Sequence, residues 1–416
     1  MIEFGLLGAT LGHSHSPRIH RALGDYSYEL IEVDPDGLDR LLCERAFRGL
    51  NVTIPYKVDA MRYCDTLTDE ARAVGSVNTL TFDENNRLVG HNTDLYGFEM
   101  LARRAGITLT DRKVLILGSG GSCRTVTAAA KRAGASEIVI VSRAGPVDYE
   151  AARRNHADAE VIVNTTPVGM YPNNGAAPLS LADFPQCVGV IDLVYNPLRT
   201  ALLLDARDRG ITQADGLTML VAQALRAAEL FTRAEIEVDR ISEIDADMRG
   251  QLSNITIIGM PGCGKSAVGS AIARMFARLF VDLDEEIERH EGKTIPEIFA
   301  QSGEAGFRGI ERAVAADIGK RGGQIIAAGG GVVLDQRNVD ALRQNGWLLW
   351  VRRPLELLAR SGRPLSSGKD ALLKMERVRL PIYQKVCDVV IDNTDSLAET
   401  VERAAAVVSQ WLSCGG

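Results

Sequence analysis

The chain has 416 residues, 46% hydrophobic and 24% charged, the composition of a soluble globular protein with two or three domains. A formal net charge of −7 argues against general binding to nucleic acid or to an anionic membrane surface. No apolar run reaches the roughly 18 residues of a membrane span, the N-terminus lacks the basic region of a signal peptide, and the seven cysteines include no C-x-x-C, so no span, disulfide framework or zinc site is expected and the cytoplasm is the expected compartment. His13, His15 and His20 cluster without cysteine or carboxylate partners at ligand spacing, and metal binding by them is not expected.

The opening "MIEFGLLGATLG" predicts a strand running into a glycine turn. Polar clusters then recur at the ends of apolar stretches. "LGHSHSPRIH" carries Ser14 and Ser16, "GLNVTIPYK" carries Asn51, Thr53 and Lys57, "GSVNT" carries Asn78, and "GHNTD" carries Asn92 and Asp94. A hydroxylated, carboxylated ring needs hydroxyls, amides and a charged pair, which these clusters supply; the serines alone read equally well as turn residues and caps. A lysine near an aspartate suits proton transfer coupled to hydride transfer at a secondary alcohol.

From about residue 96 the pattern becomes strand and helix in alternation: "VLILG", "SCRTVTAAAKRAG", "EIVIVS", "AEVIVNTTP", "VGVIDLVY". This is the signature of βαβ units around a parallel sheet. Gly118, Gly120 and Gly121 follow the strand Val114–Leu117 and open a helix, a departure from G-x-G-x-x-G in an otherwise fitting context for a dinucleotide site. The next strand ends at Ser142-Arg143 where an acid would serve NAD, and an arginine there suits the 2′-phosphate of NADP; a solvated loop arginine is the alternative. The helix-like "GLTMLVAQALRAAELFTRA" closes this part, and residues 236–252 follow as an acidic, polar linker with little apolar surface.

A new strand, Ile255–Ile258, leads into "GMPGCGKSAVG", a G-x-x-x-x-G-K-S phosphate loop followed by a helical run from Ala267 to Met275. Gly262, Cys263, Gly264 and Ala267 would wrap ATP phosphates, Lys265 would reach the β- and γ-phosphates, and Ser266 would offer its hydroxyl to Mg²⁺. "FVDLDEEIE" places Asp282 and Asp284 two apart at a strand end, pointing the same way. "SGEAGFRGIE" carries Phe307, Arg308 and Glu311; "IIAAGGGVVL" carries Gly329, Gly330 and Gly331; "RSGRPL" carries Arg360 and Arg363; "RLPIY" carries Arg379. Any one arginine reads as a surface ion pair, but the guanidinium is also the best fork for a carboxylate. Together these residues indicate a small-molecule kinase acting on an acidic, hydroxylated substrate.

The D-x-D, G-E-x-x-F-R-x-x-E, G-G-G, R-P-L and R-x-P-x-Y motifs, in that order after a phosphate loop, resemble shikimate kinase across 253–416. The resemblance implies that Arg308, Arg379, Gly330 and Gly331 hold shikimate, that Asp284 binds its hydroxyls and orients the 3-OH, that Asp282 sits near Mg²⁺, and that Arg363 comes from a lid onto the ATP phosphates. The stretch between Arg360 and Arg363 is shorter than the family's lid. Residues 1 to about 235 resemble shikimate dehydrogenase, with "NTTPVGM", "DLVYNP" and "GLTMLVAQ" in agreement. That implies Lys57 and Asp94 as the catalytic pair; Ser14, Ser16, Thr53, Lys57, Asn78, Asp94, Tyr195 and Gln223 around substrate; and Gly216 and Met219 beside the nicotinamide. Ser142-Arg143-Ala144 replaces the family's Asn-Arg-Thr clamp, and Arg21 follows His20 in place of asparagine.

The expected architecture is α/β throughout. A shikimate-binding domain spans 1–95 plus the helix near 216–235, a Rossmann-like NADP domain spans 96–215, the linker spans 236–252, and a three-layer P-loop kinase domain spans 253–416. The two families catalyse consecutive steps toward aromatic amino acids. The expected enzyme therefore reduces 3-dehydroshikimate with NADPH and phosphorylates shikimate with ATP and Mg²⁺. Its partners are small molecules, with homo-oligomerisation left open. A dehydrogenase half that prefers quinate and a degenerate regulatory half are the rival readings.

Overall fold

The aliphatic and β-branched runs gather into three sheets, each over its own core. The computed structural model describes residues 2–12, 14–358 and 369–414. The chain forms two compact units: Met1–Val168, Ala177–Tyr195 and Asp205–Asp245 make the first, and Gly169–Ala176, Asn196–Leu204 and Ala246–Gly416 the second.

The first sheet holds β1 (Ile2–Gly8), β2 (Tyr28–Glu32), β3 (Phe47–Val52), β4 (Thr66–Leu67), β5 (Thr79–Phe82) and β6 (Leu88–His91). Their order is β2-β1-β3-β5-β6-β4, parallel at the β1 pairings and antiparallel from β3 through β6. Leu7, Leu50, Leu80 and Leu88 are buried in its core. The helix Leu217–Thr232 returns to this sheet late in the sequence: Phe231 stacks on Phe4 with ring centroids 4.6 Å apart. It also lies against the helix Asp94–Arg104. Gly97 permits that approach, because a Cβ there would stand 2.8 Å from the Met219 carbonyl oxygen. This brings Asp94 and Gln223 to the same place.

The second sheet holds β7 (Lys113–Leu117), β8 (Glu137–Val141), β9 (Val161–Asn164), β10 (Gly189–Asp192) and β11 (Thr212–Asp215), all parallel, in the order β11-β10-β9-β7-β8. The chain leaves β7 toward β8 on one side and reaches β9 on the other. The glycine turn after β7 therefore lies at the point where strand order reverses, the usual ligand crevice of such sheets.

In the second unit, β12 (Asn254–Ile258), β13 (Leu279–Asp282), β14 (Gln324–Ala327), β15 (Gly346–Arg352) and β16 (Val389–Asp392) form a parallel sheet of order β13-β14-β12-β15-β16. The phosphate loop follows its central strand. Ile255, Ile257, Ile325, Leu349 and Val351 fill the core. Residues 169–176 and 196–204 also belong to this unit: Leu198 N donates to Asn345 Oδ1 at 2.9 Å, and the Arg199 guanidinium lies 4.5 Å from the Trp347 ring centroid.

Two sequence expectations change here. The stretch read as a polar linker is largely a helix, Arg240–Leu252, in which Ile241, Ile244 and Met248 are buried. Their spacing of three and four residues makes an apolar stripe that the acidic composition hides. Strand β13 ends at Asp282, and Asp284 lies in the first turn of the helix Leu283–Glu291. Asp282 caps that helix by accepting from Asp284 N at 3.1 Å. The pair is thus a strand end and a helix start, not two residues on one strand face.

Candidate active sites

The first site is a cavity of about 210 Å³ in the first unit. Asn78, just before β5, and Asp94, the first residue of its helix, are fixed beside Lys57, which lies in the turn after β3. Lys57 Nζ is 2.5 Å from Asp94 Oδ2, and Asn78 Nδ2 donates to Asp94 Oδ1 at 3.0 Å. Asn78 is itself held, its Oδ1 accepting from Thr93 N at 2.7 Å. The result is a half-buried ammonium whose carboxylate partner cannot swing away. Such a pair can hold and deliver a proton at Nζ. Ser14, Ser16, Thr53, Tyr195 and Gln223 also line the cavity, and burial pushes the Tyr195 phenol pKa up. Asn92 takes a structural part: its amide donates to Ser76 O at 3.0 Å and its oxygen accepts from Leu95 N.

Gly216 and Met219 line the same cavity, as does Ser122 from the first turn of the helix Gly121–Arg132. A Cβ at Gly216 would lie 2.1 Å from Leu193 O, so only glycine fits there. Gly118 has φ +110°, and Gly120 caps the helix, whose first N–H groups and dipole favour a phosphate. At the end of β8, Ser142 is buried and Arg143 is exposed, with no acid at either position. That donor set fits a cofactor bearing a ribose phosphate.

The second site is a cavity of about 470 Å³ in the second unit. Gly262 and Gly264 take φ +82° and +99°, which curls the loop so that Lys265 Nζ lies 3.1 Å from both the Gly259 and Met260 carbonyl oxygens. Cys263 is buried and its carbonyl accepts from Asn393 Nδ2 at 2.7 Å, while Ala267 is exposed on the helix Lys265–Met275. Ser266 Oγ donates to Asp282 Oδ2 at 2.6 Å, giving two hard oxygen donors side by side, the kind Mg²⁺ prefers.

Asp284, Arg308, Arg379 and the glycines 329–331 line the same cavity. Arg308 Nη1 donates to Glu311 Oε2 at 2.8 Å. Burial raises the Glu311 pKa against the opposing pull of Arg308. Arg379 Nη1 and Tyr383 Oη both donate to Gly330 O, at 3.0 and 2.6 Å. Two guanidiniums and a carboxylate around one space can hold an anionic polyol. Arg360 and Arg363 lie outside the described residues.

The motif reading missed the apolar parts of both cavities. Phe299, stacked on Phe307 at 4.6 Å, and Met375 line the second; Leu6 and Leu220 line the first. Hydrophobic walls carry no sequence signature beyond periodicity. Ser122 follows the glycine pattern directly and was open to inference from it.

The folds and sites define a two-part α/β enzyme, one part built for a dinucleotide and the other for a nucleoside triphosphate. The model of the shikimate dehydrogenase substrate binding domain matches residues 6–80, and the shikimate kinase model matches residues 261–410. A shikimate dehydrogenase (NADP(+)) of Clostridium perfringens is 36% identical over 267 residues, 58% of this chain and 96% of that protein. The crystal structure of a chorismate mutase/shikimate 5-dehydrogenase fusion from Clostridium acetobutylicum aligns with TM-score 0.56 at 32% identity, over 60% of this chain and 97% of that one. The shikimate 5-dehydrogenase of Thermus thermophilus, solved with NADP(H) and shikimate, aligns with TM-score 0.53 at 33% identity, over 59% and 98%. The chain belongs to the shikimate dehydrogenase family, and its C-terminal part is a shikimate kinase domain.

Proposed function

We propose that this chain catalyses two consecutive reactions: reduction of 3-dehydroshikimate to shikimate by NADPH, and phosphorylation of shikimate at its 3-hydroxyl by ATP. The observation that supports the reading is that each unit has its own cavity, lined by Lys57 and Asp94 in one and by Lys265, Ser266 and Asp284 in the other. We assign 1–95 and the helix near 216–235 to the shikimate-binding domain, 96–215 to the cofactor domain, and 253–416 to the kinase.

In the first cavity, bound NADPH would supply a hydride to the substrate's carbonyl carbon. Lys57 Nζ delivers the proton that the carbonyl oxygen gains, and Asp94 orients Lys57 and a ring hydroxyl. Ser14 and Ser16 donate to the carboxylate at the far end; Thr53, Asn78, Tyr195 and Gln223 hold the ring. Gly118, Gly120 and Gly121 would hold the cofactor's pyrophosphate, Ser142 and Arg143 its ribose phosphate, and Gly216 and Met219 its nicotinamide.

In the second cavity, Arg308, Arg379, Gly330 and Gly331 hold the shikimate carboxylate and ring. Asp284 accepts the proton that the attacking 3-hydroxyl loses. Gly262, Cys263, Gly264 and Ala267 would wrap the ATP phosphates, and Lys265 would balance charge on the transferred group. Bound Mg²⁺, held through Ser266 and Asp282, would neutralise the phosphate oxygens. The test supplies 3-dehydroshikimate, NADPH, ATP and Mg²⁺ and identifies products by mass; shikimate 3-phosphate and NADP⁺ are expected. Absence of either, or better turnover of quinate with NADP⁺ than of shikimate, overturns the corresponding half.

A further inference from the structure

One buried amide holds the phosphate loop of the second unit. Asn393 directly follows β16 and is buried. Its backbone N–H donates to Arg352 O, at the end of β15, at 2.7 Å. Its side-chain Nδ2 donates to Cys263 O, inside the loop, at 2.7 Å. Its Oδ1 accepts from Thr400 Oγ1 at 3.0 Å, and Thr400, in the helix Leu397–Cys414, is fully buried. Ser396 O also lies 3.1 Å from Thr400 Oγ1, but it already accepts the Thr400 backbone N–H at 3.1 Å, so its need for a donor is met without the hydroxyl.

Chemistry fixes which way this amide faces. A carbonyl only accepts, so the Asn393 atom beside Cys263 O is the nitrogen, and the Thr400 hydroxyl gives the amide oxygen its donor. The consequence lies one bond further along the loop. The Cys263–Gly264 peptide is trans, and in a trans peptide the C=O and N–H point in opposite directions. Asn393 draws the Cys263 C=O toward itself, so the Gly264 N–H is turned to the other side of the loop. Gly264 has φ +99°, and a Cβ on it would stand 2.7 Å from Asn393 Nδ2, so glycine is what lets the amide approach this closely.

We infer that Asn393 is a positioning residue for the nucleotide phosphates: by holding the Cys263 carbonyl it presents the Gly264 N–H to a phosphate group, and Thr400 keeps the amide in that orientation. The inference rests on the proposed reading that this loop takes ATP. Without the amide the Cys263–Gly264 peptide is free to turn, and a turned peptide offers the phosphate a carbonyl oxygen in place of a donor. The contact serves bound nucleotide and transition state alike, so it acts on nucleotide binding and not on the transfer step.

Asn393→Leu keeps the volume and removes the donor. In the full chain, with saturating shikimate and Mg²⁺, it should raise KM for ATP by about five- to fiftyfold, the loss of one hydrogen bond to a charged acceptor. Binding of ADP with Mg²⁺, read by calorimetry, should weaken by the same factor. kcat and KM for shikimate should stay within about threefold, and reduction by the same chain should not move. Thr400→Val keeps the shape and removes the hydroxyl that orients the amide. It should raise KM for ATP about two- to fivefold, and that cost should vanish in an Asn393→Leu background, because both residues act through one contact. A thermal melt reports that each variant is folded, and Thr400→Val carries the test by itself if Asn393→Leu does not fold. An unchanged KM for ATP in a folded variant, a rise in KM for shikimate as large as that for ATP, or a Thr400→Val cost undiminished by Asn393→Leu overturns the inference alone. A wild-type chain that neither binds ADP with Mg²⁺ nor uses ATP overturns the functional reading and this inference with it.

Discussion

At the scale of single residues, the proposed reading rests each unit's chemistry on a lysine whose place is set by oxygen partners. Lys57 is held against Asp94 by a contact of 2.5 Å, and Asp94 is held in turn by Asn78. Removing the ammonium removes the proton donor and leaves the pocket standing. Lys57→Ala should therefore lower kcat/KM for reduction by about 10²–10⁴, the usual worth of a positioned acid, and leave phosphorylation unchanged. Lys265→Ala and Asp284→Asn should do the reverse. Both activities are measured on each purified chain; a Lys57→Ala chain that keeps most of its reductase activity removes Lys57 from the role. Arg143 is exposed at the end of β8, with no acid at that position. A charge-assisted contact contributes about 1.5–3 kcal/mol, so Arg143→Ala should cut the NADPH-over-NADH ratio of kcat/KM about tenfold or more. An unchanged ratio assigns the 2′-phosphate to other groups.

At the scale of elements, what was legible in the sequence was whatever chemistry forces into a local pattern. Glycines after an aliphatic strand and before a helix marked both phosphate turns, because only that geometry lets backbone N–H groups reach an anion. The polar clusters around Lys57, Asn78 and Asp94 were readable as a set because each ends a strand or starts a helix. Their meeting with Gln223 was not readable locally; it depends on the helix Leu217–Thr232 returning across the sequence to lie on Asp94–Arg104. The Asp282–Asp284 pair misled for the opposite reason: an i, i+2 rule for strands was carried one residue past the strand's end. Residues 236–252 were judged by composition, and composition averages over faces. Ile241, Ile244 and Met248 share one side of the helix Arg240–Leu252 and are buried, whereas Glu243 is exposed. Met248→Ala should cost about 2–5 kcal/mol, the range for truncating a buried methionine, and Glu243→Ala should stay within about 0.5 kcal/mol. Denaturant titration reads both. Equal, small shifts would mean that the helix behaves as a solvated linker after all.

At the scale of the whole chain, the question is what joining two consecutive enzymes does to the intermediate. Among the described residues, each cavity is lined only by residues of its own unit: Lys57, Asp94 and their neighbours in one case, Lys265, Asp284 and theirs in the other. Shikimate, small and soluble, should therefore leave the first cavity and mix with bulk before reaching the second. Cutting the chain at 252 is a poor control, because residues 196–204 pack with the second unit, where Arg199 N donates to Gln344 O at 2.8 Å. The better comparison keeps every chain intact. Start from labelled 3-dehydroshikimate and follow shikimate 3-phosphate in the wild-type protein and in an equimolar mixture of Lys57→Ala and Lys265→Ala chains, matched for each activity. The expected outcome is the same lag in both, with added unlabelled shikimate diluting the label equally, because a freely diffusing intermediate must first accumulate toward the kinase KM whichever chain made it. A lag that vanishes only in the wild-type chain, with its label undiluted, would overturn this and require a route for shikimate that neither cavity's lining provides.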